Sequence, residues 1–506
     1  MRTFLYLIIL INAGIAQATQ AQTTPYIKSF YSLPLTLDPI KMNDTASLVV
    51  SNLIYDGLLK FSPKLELLPA IAESWTTSSD GKKVTFKLRS NAVFHNGSPV
   101  TSDDVKISLE RALSSNSKVR KLYDCIEGAD ETSGANKSSG LGIETPDQQT
   151  VVIKLKHPFP PFLSVLAGAT AKILPKTLLN NKNFFSHPIG SGAFRFNEKL
   201  SERKRIFLQA FDGYYSGTPQ IKELILEEHT EDEALALAKN GHVHDLANWP
   251  LTNTNDVFGF GKKITTPVAA TWIIGLNTTK PPFDKIEVRQ AFKAAINTNE
   301  FREKFYPDAI PATGYVPFGL SGSGVVTKNK FNQSAVPKER ITLVIPAELA
   351  HAKEMKSFFE TALKSSGWKL EVQLLPWEKL MEGYSSKRHQ AFLVSMNMDY
   401  PDAEFLLRNF ESTNPDNFSG IKNSKLDSLI SQSRTLQDRR KREIIYRDAL
   451  ELLDNLSVTV NLFYPRANSW ISKCVHGFEP NILSDVYIDY SKVSLDETCS
   501  STVVRK

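Results

Sequence analysis

The sequence predicts an α/β protein with mixed sheets, because two periodicities alternate along it. Period-two runs such as "KKVTFKLRS" (82–90) and "TVVIKLK" (150–156) read as strands. The run "IEVRQAFKAAI" places Val288, Ala291, Phe292, Ala295 and Ile296 on one helical face. The two kinds interleave: "ITLVI" (341–345) and "KLEVQLL" (369–375) flank a helix over 351–365, which is a β-α-β signature.

Other elements carry their own signals. In "VTSDDVKISLERAL" Thr101 is a helix N-cap, and Asp104 three residues on completes a capping box. A long amphipathic helix carries Ile445, Ala449, Leu452, Leu453 and Leu456. "ETSGANKSSG" (131–140) is a polar loop. Pro281-Pro282 follows a strand and reads as a hinge or domain edge, since neither proline can donate to a ladder.

The chain has 506 residues, 41% apolar and 23% charged. That is ordinary globular composition with room for about two to four domains. Residues 1–21 read as a secretory signal peptide: Arg2, an apolar run over 4–11, then the small-residue sites Ala16-Gln17-Ala18 and Thr19-Gln20-Ala21. The apolar run is too short to span a bilayer. No cysteine lies near the cleavage region, which argues against a lipid anchor there. The expected location is therefore outside the inner membrane, the periplasm in a cell with two membranes.

Formal net charge is +6, with Lys and Arg scattered. "SERKR" and "QDRRKRE" read as solvated faces, so no nucleic-acid partner is expected. Of the three cysteines, Cys474 and Cys499 are close in sequence and can pair in an exported chain, leaving Cys125 free. Three unpaired or buried thiols are the alternative. No CxxC or Cys/His cluster calls for zinc. His242-Val-His244 offers at most a metal pair on a strand edge, and His95, His157 and His187 stand apart. GxxxxGK, HExxH and GxSxG are all absent. No nucleophile, base and orienting group assemble, so neither an enzyme nor a cofactor or metal is expected.

One stretch raises a question of charge. "SMNMDYPDAEFLLRNF" (395–410) follows the apolar run "AFLV" and ends a strand in two carboxylates, Asp399 and Asp402. A carboxylate there is costly unless a cation meets it. The cation is either internal, such as Arg408, or arrives with a ligand.

The motifs then accumulate into a resemblance. "LDP" (37–39), the block "NLIYDGLLKFSPKLELLPAIAESWTTSSDGKKVTFKLRSNAVFHNGSPVTSDDV" (52–105), "HPIGSGAFRF" (187–196), "GYYSGTPQIKELIL" (213–226), "LNTTKPPFDKIEVRQAFKAAI" (276–296) and "DYPDAEFLLRNF" (399–410) occur in order. Over nearly all of 30–480 the chain resembles the large periplasmic solute-binding proteins of ATP-driven importers, extracellular family 5, which includes oligopeptide- and dipeptide-binding proteins. It departs at "NGHVHDL", where the family has a Gly-acid-Ile-Asp turn.

The resemblance implies a type II periplasmic binding protein fold with two lobes, a hinge and an extra small domain. The first lobe is expected over 22–63, 187–277 and 476–506, the extra domain over 64–186 and the second lobe over 278–475. It implies a monomer that binds ligand between the lobes and delivers it to a membrane permease with its ATPase subunits. The block around Trp75 and His95 is then architecture rather than ligand site.

For a peptide ligand, the resemblance maps main-chain pairing onto Asn43, Asp44 and Thr45 and onto Ser395, Met396 and Asn397. The ligand's amino group falls to Asp399, with Asp402 as runner-up, and Trp272, Trp377 and Tyr400 are candidate aromatic walls. The family also carries nickel chelates, haem, opines and oligosaccharides, so the ligand class stays open at this point, as does the more distant reading of an exported hydrolase.

The mature chain is expected to begin between about residues 18 and 22. N-terminal sequencing of exported protein checks this, and a mature chain starting at Met1 would exclude it.

Overall fold

A computed structural model describes residues 24–129, 140–247, 261–324 and 335–499. The expected signal peptide and nearly all of the 131–140 loop lie outside these residues.

Three sheets organise the chain. The first has seven strands in the order Gly261–Pro267, Arg466–Ser472, Asp245–Ala247, Tyr26–Phe30, Glu223–Glu228, Arg205–Ala210 and Phe194–Phe196. The second has six, in the order Ile310–Pro311, Thr459–Tyr464, Ala270–Leu276, Ala391–Asn397, Arg340–Pro346 and Lys369–Leu375. A four-stranded antiparallel sheet in the extra domain runs Ala72–Thr77, Lys83–Leu88, Thr150–Lys154, Ile143–Asp147.

Most local expectations hold for local reasons. Helix Ser102–Ala112 opens on the Thr101/Asp104 capping box. Strands Arg340–Pro346 and Lys369–Leu375 are parallel, joined through helix Ala352–Ser365. The long helix is Arg439–Leu456. In helix Ile286–Ala295 the predicted Val288, Ala291 and Phe292 are buried, and so is Arg289. Its guanidinium donates to the carbonyls of Phe283 and Leu456, which makes the buried charge tolerable.

The lobe boundaries differ from expectation. Strand Ala270–Leu276, expected in the first lobe, is central in the second sheet, between Thr459–Tyr464 and Ala391–Asn397. Strand Arg466–Ser472, expected in the second lobe, lies in the first sheet. The chain therefore crosses between the two sheets just after Pro267 and again at Pro465. Pro267 is the last paired residue of its strand, opposite Arg466, and Pro465 has no N–H to return the next bond. The crossings run side by side, with Val268 N–H donating to the Pro465 carbonyl at 2.9 Å. Pro281-Pro282 is not this hinge. It lies beyond the second sheet, in the turn before helix Ile286–Ala295. The expected break at 63/64 falls in the tip of a hairpin that pairs Leu59–Phe61 with Leu67–Pro69.

Motif glycines and His95 tie the extra domain to the first lobe. A Cβ on Gly190 would meet the Ile54 carbonyl oxygen at 2.0 Å, and one on Gly192 the Leu53 carbonyl oxygen at 2.6 Å. The His95 ring spans both glycines, accepting from Gly190 N–H at 3.2 Å and donating to Gly192 O at 3.0 Å. Burial pushes its pKa down to about 4, so the ring is neutral. The architectural reading of this block agrees with that geometry. The extra domain also packs on the second lobe: Phe86 and Val151 share a hydrophobic cluster with Tyr400, Leu406 and Tyr446. Lys121 pairs with Asp416 across the same junction at 2.5 Å.

The first sheet is pinned by a buried charge cluster. Lys28, fully buried in Tyr26–Phe30, meets Asp245 at 3.1 Å and Asp485 at 3.5 Å. The hydroxyls of Tyr26 and Tyr490 also donate to Asp245. Beyond it, Cys474 and Cys499 are disulfide-bonded with Cα atoms 5.4 Å apart. Cys125 is free and half-buried, its thiol pushed up to about 12 by burial.

Replacing Lys28 with Met strands Asp245 and Asp485 without their cation. The variant is expected to lose about 3–5 kcal/mol of stability, as breaking a buried pair does. Urea denaturation of the ligand-free protein measures it, and a loss below about 1 kcal/mol would show that the cluster is not needed to hold the sheet.

Candidate functional site

The crossings open onto a cavity shared by three bodies. It encloses about 1480 Å³ of empty space, counted out to its mouth. The first lobe supplies residues 42–45, 48, 482–484, 486 and 487, the extra domain 118, 119, 122, 165 and 168–170, and the second lobe 397–400, with Val268 and Ala269 between them. Backbone bonds knit the junction: Ala269 N–H donates to Ile482 O at 2.7 Å, and Met398 N–H to Ala269 O at 2.9 Å.

On the first-lobe wall, helix Thr45–Ile54 begins at the cavity. Its N-cap Asp44 accepts from Ser47 N–H at 2.8 Å and from the Ser47 hydroxyl at 2.6 Å. That carboxylate is occupied by capping. Asn43, Asp44 and Thr45 all face the cavity. Ser484 on the same wall holds φ at 100° and ψ at −179°, a backbone region costly for a side-chain residue.

On the second-lobe wall, strand Ala391–Asn397 pairs along its whole length with Ala270–Leu276. Strand Arg340–Pro346 accompanies its other edge only at Ala391 and Phe392. Over 393–397 that edge carries no partner strand among the described residues. Asn397, Met398, Asp399 and Tyr400 then reach the cavity.

The three carboxylates that follow are treated differently. Asp402 is buried, accepts from the Tyr446 hydroxyl and Glu404 N–H, and pairs with Arg442 at 3.2 Å. Glu404 is buried between Arg434 at 2.9 Å and the Tyr400 hydroxyl at 2.6 Å. Asp399 has neither a hydrogen bond nor an ion pair among the described residues. Its side chain is exposed to the cavity, and desolvation by the protein around it raises its pKa. Arg408 opposes the shift from beyond ion-pair distance, its guanidinium stacked 4.6 Å from the Phe405 ring.

The expected site residues therefore separate. Asn43, Asp44, Thr45, Asn397, Asp399 and Tyr400 reach the cavity. Asp402 does not: it is an internal ion-pair partner, because Arg442 and Tyr446 of a distant helix converge on it. Trp272 stacks on Phe463 and Tyr306 at 5.9 and 6.2 Å, packed behind the second sheet rather than lining the cavity. Trp377 is exposed and lies off the cavity. Ser395 and Met396 are not on the wall either; Met396 is core, because alternate strand residues face opposite sides. Tyr400 is buried with its hydroxyl held by Glu404. His244 accepts from Ile27 N–H and stacks on Tyr26, beside cysteines consumed in the disulfide.

Sequence reasoning missed the extra domain's share of the wall: Lys118, Val119, Leu122 and Val165. In "SKVRKLYD" no periodicity marks which of its cations faces a cavity.

Comparison with known proteins gives a consistent picture. The family description "Bacterial extracellular solute-binding proteins, family 5 Middle" matches residues 66–418. A glutathione-binding protein of Pectobacterium atrosepticum is 25% identical over 492 residues, covering 91% of this chain and 92% of its own. Among solved structures, Haemophilus influenzae OppA in complex with RPPGFSPFR superposes with a TM-score of 0.75 at 18% identity, covering 94% and 99% of the two chains. AgaA of A. tumefaciens R10, in complex with agropinic acid, gives 0.74 at 24% identity with the same coverage. The structures share the fold: two lobes and an extra domain.

Burial raises the pKa of both aspartates, but only Asp402 has a partner to strand, so the two are expected to respond oppositely to mutation. The folded pKa of Asp399 lies above its unfolded value, so its ionised form costs stability. That cost sets in as pH rises through the ordinary carboxylate range and is complete above the raised pKa. At pH 7, Asp399→Asn should raise the melting temperature of ligand-free protein. Asp402→Ala strands Arg442 and should cost about 3 kcal/mol. Thermal and urea melts check both, and a lowered melting temperature for Asp399→Asn would point to an unseen structural partner.

Proposed function

Because this chain belongs to the family 5 bacterial extracellular solute-binding proteins of ATP-binding-cassette importers, we propose that it binds short extended peptides in the cavity at the lobe junction. The ligand amino group meets Asp399. In this reading the protein is exported, works in the periplasm as a monomer without catalysing a reaction, and presents its ligand to a membrane permease. No described helix is long and apolar enough to cross a membrane.

One observation carries the ligand reading: a carboxylate exposed to the cavity at the end of a strand with a free edge, while both neighbouring acids are spent on arginines. Where that edge reaches the cavity, at Asn397, it can pair with an extended main chain, a contact that is indifferent to side chains. Asp399 then contributes a charge-assisted bond to the ammonium. The relatives named for glutathione and the structure holding RPPGFSPFR support a peptide, and the one holding agropinic acid marks the main alternative. Ligand between the lobes favours a closed arrangement about the 268 and 465 crossings.

Calorimetry on tri-alanine and N-acetyl-tri-alanine, with native protein and Asp399→Asn, tests this directly. Native protein should favour the free amine by roughly 1.5–3 kcal/mol, about ten- to a hundred-fold in affinity. The variant should lose that preference and bind the acetylated peptide about as the native protein does. A merely structural Asp399 would weaken both ligands equally. If acetylation costs the native protein nothing, Asp399 does not hold an amine, and the peptide reading falls with it.

A further inference from the structure

Resting on that reading of Asp399, we infer that Lys118 is the opposite pole of the same cavity, and that the ligand is a short zwitterion whose terminal carboxylate is held by the extra domain. Three charged side chains line the cavity: Asp44, Lys118 and Asp399. Asp44 is spent on its helix cap. Lys118 is exposed, and its ammonium has no ion-pair or hydrogen-bond partner among the described residues. The free charge on the wall is therefore one cation and one anion. They come from different bodies and do not pair with each other.

The backbone under Lys118 is fixed. Its N–H donates to the Ile40 carbonyl at 2.9 Å, and the following Val119 and Leu122 are buried in the core. The free ammonium is thus carried on an anchored stem, close to where Lys121 bridges to Asp416 of the second lobe. Most of the wall around the two charges is apolar, with Val119, Leu122, Val165 and Leu483 among its residues. Both charges are open to water in this structure; once a ligand fills the cavity and displaces that water, a charge left without a counter-ion becomes costly and attraction between opposite charges is stronger than in water. A ligand with an ammonium at one end and a carboxylate at the other satisfies both wall charges and leaves no net charge buried. One lacking either end leaves a wall charge unmet. A ligand bridging Asp399 and Lys118 also joins the second lobe to the extra domain, so ligand length becomes a selection criterion.

Calorimetry with tri-alanine and tri-alanine amide, which differ only in the terminal carboxylate, separates this inference from the amine reading. Native protein should bind the free acid at least tenfold tighter than the amide. Lys118→Met keeps the length and removes the charge. It should bind the acid at least tenfold more weakly than native protein does and no longer distinguish acid from amide. Asp399→Asn should weaken both peptides and keep the distinction. Circular dichroism melts confirm that the variants are folded. Failure of native protein to distinguish acid from amide, or a distinction that survives in Lys118→Met, overturns the role of Lys118. If the acetylation preference persists alongside that result, the amine reading stands alone. Absence of binding by tri-alanine and penta-alanine, with or without their charged ends, overturns both.

Discussion

The architecture depends on two strand exits that run side by side. The first sheet hands the chain to the second after Pro267, and the second returns it at Pro465, with Val268 and Pro465 joined by a backbone hydrogen bond. Pro465 has no N–H to answer that bond, so the pairing between the two crossings is one-sided there. The two sheets thus meet along one narrow seam. The cavity is the space left beside it, and Ala269 in the seam is bonded to both the first-lobe wall through Ile482 and the second-lobe wall through Met398. A shift of either lobe about this seam moves opposite walls of the cavity, which is what a binding protein that closes on its ligand requires.

The second organising fact is how acidic groups are distributed. Deep in the first lobe, Asp245 and Asp485 share Lys28; in the second, Asp402 and Glu404 are met by Arg442 and Arg434. These are paired charges, kept where desolvation would otherwise be prohibitive. Asp399 breaks the pattern three residues before Asp402, with its carboxylate in the cavity and Arg408 held off on Phe405. An uncompensated charge costs stability and pre-organises a site, a common trade at places where ligands are bound. The arginines behind Asp399 matter for the same reason: they hold the 400–404 segment still, so the free carboxylate has a fixed position.

Legibility followed the range of the interactions. The Thr101/Asp104 cap, the alternation of 83–88 and the β-α-β unit around 352–365 were readable because their partners lie within a few residues, or because burial imposes a period. The motif "HPIGSG" was readable as a family mark but not as a mechanism. That Gly190 and Gly192 abut the backbone of Leu53 and Ile54 and are spanned by His95 is a matter of segments some hundred residues apart coming together. Lobe membership misled for the strands 270–276 and 466–472, since a strand's sequence says that it pairs but not with which sheet.

By itself the sequence determined the α/β class, most elements, the family, and the presence of acid at the end of the strand 391–397. Which acid is free was decided only by tertiary structure. Asp402 and Glu404 are claimed by groups 30 to 44 residues further on, and nothing within "DYPDAEF" distinguishes them from Asp399. Likewise Lys118 is one polar residue among many until the extra domain folds against the lobes and turns it to the cavity. Local propensity and periodicity are properties of neighbouring residues, whereas the pairing of a charge depends on which distant group reaches it first, and that is a property of the packed chain.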